Sequence, residues 1–367
     1  MKIGQITVSY KPLIGGQEVY IDLLAKVLRD VGHSVRIYQP DTGIKDKDLF
    51  LSPNPNYPKG LEKLIPRLMR YNFSLFTHQL KNLKKEDLLI IHYPEHYLPV
   101  AWHKKTVVLT HGINWELNSP LKRISREFLA KLAFERAWKF VANDTNFLRA
   151  MGLDIKPKEK MFQEVSKGRW FIPNCVDTEF FTVSRGLRQL KKLNPIIVPR
   201  NLSKARGVDL AVDAFELIAD KYQELNLVIV GKKIPLPDST AYFEKLVSKV
   251  DSSPYKHRII FLGSKPWNEM KEIYSSALVT LVPTRASEGT SLAALESMAC
   301  GTATVTTSVA GLRDLPSIQT EPNPSSIAAA LEDTIKNREE IGAAQQIEVR
   351  KDFNLDNWKK AWLKLIS

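Results

Sequence analysis

The run LVTLVPTRASEGTSLAALESMACGTATVTT, residues 278–307, decides how this chain folds. Residues 278–282 form an apolar run of strand length that ends at Pro283, residues 291–300 read as a helix, and residues 303–306 are again strand-like. Strand, helix and strand in that order make a βαβ unit, which places both strands parallel in one sheet. The same alternation extends in both directions. Upstream lie strands at 196–198, 227–230 and 258–262, with helices near 208–221 and 267–275 between them. Earlier still, residues 3–9 read as a buried strand, followed by a loop through Gly15 and Gly16. A helix over 17–31 then carries Val19, Leu23, Leu24, Val27 and Leu28 on one face and stops at Gly32, and a strand follows at 34–39. Further strands are expected at 88–91, 106–110, 139–142 and 170–173. The fold class is α/β with two Rossmann-like domains facing a central cleft: 1–182, a polar basic linker over 183–194, and 195–354, with a helix over 355–367 packing back on the first.

The 367 residues are 44% apolar and 25% charged, an ordinary globular composition that excludes disorder or a fibrous repeat as a description of the whole. No apolar stretch approaches the ~20 residues that span a bilayer as a helix. The first residues lack the compact apolar core and small-residue cleavage site of a secretory signal, so a cytoplasmic location is expected. Cys175 and Cys300 stand far apart, too few for a disulfide framework or a four-ligand zinc site, and are expected to be reduced and packed. The net charge is +13 and is unevenly shared: residues 1–185 carry 29 basic and 19 acidic side chains, residues 186–367 carry 24 and 21. An anionic partner for the first half follows, whether a phosphate-rich ligand, an anionic lipid surface or nucleic acid.

In doubly wound sheets ligands bind beyond the carboxyl ends of the strands, so function is sought in the strand-to-helix loops. In the stretch from Pro283 to Glu296, Glu288 and Gly289 lead into a helix start at Thr290, Ser291 and Leu292. The free N–H groups there suit a diphosphate. Glu288 and Glu296 can each accept paired hydrogen bonds from vicinal sugar hydroxyls. Taken alone they fit equally well a carboxylate complementing the helix dipole and a solvated helix residue. The loop from Pro199 to Gly207 sets Arg200, Lys204 and Arg206 beside a glycine, a clamp for pyrophosphate or a solvated basic turn. Gly15-Gly16 permits positive φ and close backbone approach, but no full G-x-G-x-x-G is present, which argues against dinucleotide redox chemistry. His92 and His96 share a metal-like spacing that Pro94 spoils, and no metal or other cofactor is expected.

Glu288-x7-Glu296, the Arg200 to Gly207 loop, Gly15-Gly16, Thr110-His111-Gly112 and Ile172-Pro173-Asn174-Cys175-Val176-Asp177 occur in one order across nearly the whole chain. In this the sequence resembles the retaining glycosyltransferases of family GT4, which have the GT-B fold. The resemblance implies transfer of a sugar from a nucleoside-diphosphate sugar to an acceptor with retention of anomeric configuration. It would set Arg200 and the cation before Gly207 on the donor diphosphate, Glu288 on the transferred sugar and Glu296 on the ribose. The N–H groups of Ser291 and Leu292 would meet phosphate or sugar, Gly16 would approach the donor, and His111 would lie near the sugar. The family usually has lysine directly before this glycine; here Arg206 stands there with Lys204 two residues earlier, so either can be the second cation. Cys175 replaces the glycine of the family's Asn-Gly-Val-Asp segment and is expected to be structural.

Between residues 59 and 85, Lys59, Lys63, Arg67, Arg70, Lys81, Lys84 and Lys85 are interleaved with Leu61, Leu64, Ile65, Leu68, Phe73, Leu75 and Phe76. That pattern suits a helix on an anionic bilayer and equally a core helix with a basic solvated face. Membrane contact on the inner face would bring the enzyme to a glycan or lipid-linked acceptor. Two rivals remain at this point: another GT-B activity such as a sugar-nucleotide epimerase, and a basic nucleic-acid-binding protein. No base-reading motif supports the second.

Overall fold

A computed structural model describes residues 1–12, 15–53, 67–113, 115, 119–233 and 237–367. By its internal contacts the chain divides into two units, Met1–Pro173 with Lys359–Ser367, and Asn174–Trp358.

The first unit is built on an eight-stranded sheet: β1 (Lys2–Ile6), β2 (Ser34–Pro40), β3 (Leu49–Ser52), β4 (Leu88–Ile91), β5 (Thr106–Thr110), β6 (Lys139–Ala142), β7 (Gln163–Ser166) and β8 (Arg169–Phe171). The order is β3-β2-β1-β4-β5-β6-β8-β7, and all pairs are parallel except β7 with β8. Leu88 to Ile91 and Thr106 to Thr110 are buried throughout, as strands covered on both faces require. The helix Gly16–Asp30 buries Tyr20, Ile21, Leu24, Val27 and Leu28 along its inner face. The strand expected at 170–173 is β8, and β7 adds an antiparallel edge beyond it.

The second unit holds a six-stranded, all-parallel sheet: β9 (Pro195–Val198), β10 (Asn226–Val230), β11 (Ile259–Gly263), β12 (Val279–Val282), β13 (Thr304–Thr307) and β14 (Ile318–Thr320), ordered β11-β10-β9-β12-β13-β14. The βαβ unit read first from the sequence is β12, the helix Leu292–Ala299 and β13. Ile196, Val198, Phe215, Leu227, Leu281 and Leu331 are at the centre of this unit's core. Residues 183–194 carry the short helix Arg188–Lys191, with Leu190 buried, and fall within this second unit. The helix Leu355–Ile366 starts in the second unit and ends in the first, where the Trp362 indole N–H donates to the Tyr20 hydroxyl at 3.0 Å.

In both sheets the strand order reverses beside the first strand of the series, between β1 and β4 and between β9 and β12. The crevice at the carboxyl ends of those strands is the binding position of an open α/β sheet.

Within the 59–85 stretch, the helix Arg67–His78 divides the interleaved apolar residues between two faces. Tyr71, Ser74 and Leu75 face inward and are buried, while Met69, Phe73 and Phe76 point to solvent with 61, 54 and 50% of their surface exposed. Residues 59, 61 and 63–65 lie outside the described residues, as do the side chains of Arg67 and Leu68.

Candidate functional site

At the β9/β12 reversal the two loops singled out in the sequence come together. Gly207 has φ +67°, and a Cβ there would sit 1.9 Å from the Pro283 carbonyl oxygen. No other residue allows the Arg200 to Gly207 loop to lie against the start of the β12 loop. The Arg285 N–H fastens the same seam by donating to the Ala205 carbonyl at 2.9 Å. Behind it, the Arg285 guanidinium pairs with Asp209, whose other oxygen accepts from the Tyr242 hydroxyl at 2.7 Å. Gly231, just after β10, backs Arg200, since a Cβ would meet the Arg200 carbonyl oxygen at 2.0 Å.

Arg200 is buried, and its Nη2 donates to Glu288 Oε2 at 2.8 Å and to the Thr284 hydroxyl. Arg206 pairs with the same carboxylate oxygen. Burial pulls the Arg200 guanidinium down to about 10, still cationic at neutral pH. Its charge is balanced by Glu288, as a buried ion requires. Lys204 is exposed to solvent. The structure thus brings Arg200, Arg206 and Glu288 into one cluster and leaves Lys204 outside it.

Glu288 is followed by the helix Leu292–Ala299, whose N-cap is Ser291. Ser291 makes no side-chain capping bond, and its buried hydroxyl has no hydrogen-bond partner among the described residues. The helix therefore offers its first N–H groups and a hydroxyl without self-capping, a polar end suited to an anion. Thr290 and Gly289 are buried, and Thr290 fixes the approach. Its hydroxyl accepts from the Asn174 N–H at 2.8 Å, and its carbonyl accepts from the Asn174 amide. This is what the Pro173-Asn174-Cys175 segment does in the structure. Both cysteines are free and buried, and burial pushes the Cys300 thiol up to about 12.

Glu296, on the inner face of that helix, is buried rather than solvated. It accepts from the Trp267 indole N–H at 2.9 Å and from the Tyr274 hydroxyl at 3.1 Å. Burial raises its carboxyl to about 7, partly opposed by those two donors. Trp267, Tyr274 and Thr284 were not singled out in the sequence. Thr284, directly after Pro283 in the opening run, carried a local signal; Trp267 and Tyr274 reach Glu296 from 29 and 22 residues away and carried none.

The β1/β4 reversal of the first unit is different. The Gly15-Gly16 loop uses no positive φ: Gly15 is extended at φ −149° and Gly16 opens the helix. The Glu18 carboxylate already occupies this helix terminus, accepting from the Gly15 N–H at 2.9 Å and from the Ser9 hydroxyl. Beside it, His92 and His111 stack with planes 4° apart. His92 Nε2 lies 2.7 Å from the Gln5 side-chain oxygen Oε1, and His92 Nδ1 lies 3.3 Å from His111 Nε2. With Gln5 accepting from His92 Nε2–H, His92 Nδ1 is left to accept from His111 Nε2–H. Burial drives both imidazoles well below their ordinary pKa, so both are neutral. His96 is buried in a separate pairing, 2.5 Å from the Asn72 side-chain oxygen.

Comparison with known proteins agrees with this architecture. Residues 183–348 match the family described as Glycosyl transferases group 1, and residues 14–161 match Glycosyltransferase Family 4. The chain belongs to the GT4 glycosyltransferases, enzymes of the GT-B fold. Among curated relatives, the mannosylfructose-phosphate synthase of Agrobacterium fabrum is 24% identical over 81% of this chain and 72% of its own length. The D-inositol 3-phosphate glycosyltransferase of Acidothermus cellulolyticus is 30% identical over 38% of this chain and 33% of its own. A sucrose-phosphate synthase structure from Thermosynechococcus elongatus superposes with TM-score 0.83 at 18% identity, covering 100% of this chain and 98% of that one. Anabaena HepE in complex with UDP and glucose superposes with TM-score 0.78 at 17% identity, covering 100% and 99%.

Proposed function

We propose that this glycosyltransferase moves a hexosyl group from a nucleoside-diphosphate sugar to a membrane-borne glycan or lipid-linked acceptor, retaining the anomeric configuration. One observation carries the donor side of the proposal. Two arginines and a carboxylate converge at the β9/β12 reversal, directly before an uncapped helix start, with a second buried carboxylate on the same helix. Glu288 holds the arginines where a diphosphate would sit, so donor binding exchanges partners. The diphosphate takes Arg200, Arg206 and the Ser291 and Leu292 N–H groups, and Glu288 turns to the sugar hydroxyls. Glu296 takes the ribose. In the first unit, Gly16 and the neutral His111 ring are the residues available to the donor, His111 as a hydrogen-bonding partner for a sugar hydroxyl.

The bond from the anomeric carbon to the leaving phosphate oxygen breaks while the acceptor oxygen bonds to the same face. The acceptor proton passes to a diphosphate oxygen. The protein stabilises the charge that develops on the leaving diphosphate; no covalent nucleophile, metal or other cofactor is invoked. The HepE complexes hold UDP and UDP-glucose, which makes uridine donors the first to test. The basic first half supports peripheral contact with the anionic inner face of a membrane, and no described helix is long and apolar enough to cross one.

A thermal-shift panel of nucleoside diphosphates and their sugars tests the donor, because a ligand bound only by the folded state raises its apparent stability. Proton NMR of the first-formed product with the donor so found should show the donor's own anomeric configuration. An inverted product, or epimerised donor with no transfer product, overturns the proposal.

A further inference from the structure

The helix Pro120–Arg136 of the first unit has its polarity reversed relative to a core-covering helix. Its buried positions are Ala130 and Ala133. Leu121, Ile124 and Phe128, spaced i, i+3 and i+7, form one stripe, and Ala130 lies nine residues beyond Leu121, half a turn round the axis. The stripe therefore points away from the core. Its residues are 82, 65 and 64% exposed, among the most exposed large apolar side chains described. Single exposed apolar residues are ordinary, but a run of three on the outer apex of one helix is not.

The surroundings of the stripe select its occupant. Lys122 and Arg123 in the first turn and Lys131 further along are exposed, and the first turn holds no acidic residue. Cations at a helix N-terminus add to the positive end of the macrodipole; Glu127, paired with Lys131 at 2.9 Å, and Glu135 offset part of that charge, which leaves five cations against two carboxylates along the helix. The helix Arg67–His78 lies next to it through one shared residue. The Glu95 carbonyl accepts from the Asn72 amide at 2.9 Å, and the Glu95 carboxylate faces Arg126 at 3.9 Å. That neighbour carries its own outward stripe, Met69, Phe73 and Phe76. A partner must therefore be apolar and anionic at once, as the boundary between acyl chains and acidic headgroups is.

We propose that the Leu121/Ile124/Phe128 stripe, ringed by Lys122, Arg123 and Lys131, is the surface that seats this protein on an anionic bilayer by shallow insertion. This rests on the membrane-borne acceptor proposed above and names the residues that make the contact.

The test uses the full chain and vesicles of phosphatidylcholine with 30 mol% phosphatidylglycerol, compared with pure phosphatidylcholine. Wild type should sediment with the anionic vesicles and keep part of its binding in 0.5 M salt, since the apolar contribution is not screened. The triple variant Leu121→Ser/Ile124→Ser/Phe128→Ser should bind at least tenfold more weakly at either salt while its nucleoside-diphosphate affinity stays within twofold. Because Cys175 and Cys300 are buried, Ile124→Cys accepts an environment-sensitive maleimide selectively, and its emission should shift to the blue on anionic vesicles. Wild-type vesicle binding by the triple variant, or unshifted emission at position 124, overturns the assignment of the surface. A wild-type dimer that the triple variant converts to monomer overturns it too, by making the stripe a contact between copies. A wild type that ignores anionic vesicles removes the membrane altogether, whereas failure of the donor proposal would show separately as no stabilisation by any nucleoside diphosphate.

Discussion

The two strand-order reversals occupy equivalent places in their sheets and are equipped in opposite ways. At β9/β12 the groups are charged: Arg200 and Arg206 against Glu288, with Glu296 buried behind. At β1/β4 they are Gln5 and the neutral pair His92 and His111, and the helix terminus is already filled by Glu18. A buried cation must be matched by an anion, and Glu288 supplies it, the partner that the proposed donor would displace. The Glu18 carboxylate is held by its own helix and by Ser9, so nothing is gained by replacing it. With the donor bound as proposed, one topology would give an exchangeable anion seat in one unit and, in the other, a neutral histidine pair beside a carboxylate fixed in place.

The largest expected effect compares the glycines of the two sites. Gly207→Ala adds a Cβ that overlaps the Pro283 carbonyl at positive φ, and should lower stability by about 3 kcal/mol or more in denaturant unfolding. Gly15→Ala, in extended backbone with its nearest neighbour a Glu18 oxygen at 3.4 Å, should stay within about 0.5 kcal/mol. Similar losses at both would erase the distinction between the loops.

Next comes the anion seat itself. Arg200→Ala should weaken nucleoside-diphosphate binding by roughly 1.5–3 kcal/mol, the worth of one charge-assisted contact. His111→Ala should leave that affinity within about twofold while lowering sugar transfer. Calorimetric titration of both variants checks this, and equal losses would place the anion elsewhere.

The two carboxylates should separate by role. Glu288→Ala frees Arg200 and Arg206 from a competing carboxylate, so free diphosphate should bind at least as tightly as in wild type while turnover falls. Glu296→Ala should weaken the free nucleotide by about tenfold, roughly 1.4 kcal/mol. A drop in diphosphate affinity for Glu288→Ala would contradict the exchange of partners.

A smaller effect is set by pH. In the proposed ribose role Glu296 must be ionised to accept two hydroxyls, and burial raises its carboxyl to about 7. Nucleotide affinity should therefore be full above pH 8 and fall as pH drops through 7, by about tenfold at pH 6. The His92 and His111 imidazoles, held neutral by burial, add no step in that window. In Glu296→Gln the step should vanish; its persistence would assign it to another group.

Most of the fold was legible because parallel strands buried on both faces are continuous apolar runs, as at Leu88 to Ile91 and Val279 to Val282. The strands that escaped, Leu49–Ser52, Gln163–Ser166 and Ile318–Thr320, all lie at sheet edges; the last two keep no such run and the first only the three residues Leu49 to Leu51. Within the site, the chemical types of Arg200, Arg206, Glu288 and Glu296 were legible, and so was the helix start they surround. Their mutual pairing was not, because Arg200 and Glu288 are 88 residues apart and meet only when β9 and β12 become neighbours. The outward stripes escaped for a related reason: periodicity groups residues on a face but does not say which face the core takes.

The helix Leu355–Ile366 sets the timetable of synthesis. Trp362 and Leu365 are completely buried, and the Lys139 ammonium donates to the Leu365 carbonyl, so the unit that begins at Met1 takes its last wall from residues translated some two hundred positions later. While the ribosome makes the second unit, the first waits with Tyr20 and its neighbours uncovered. That flank stays open until Leu355–Ile366 is made, so the codons of this helix are as much a part of the amino-terminal unit's folding as those of the first strand.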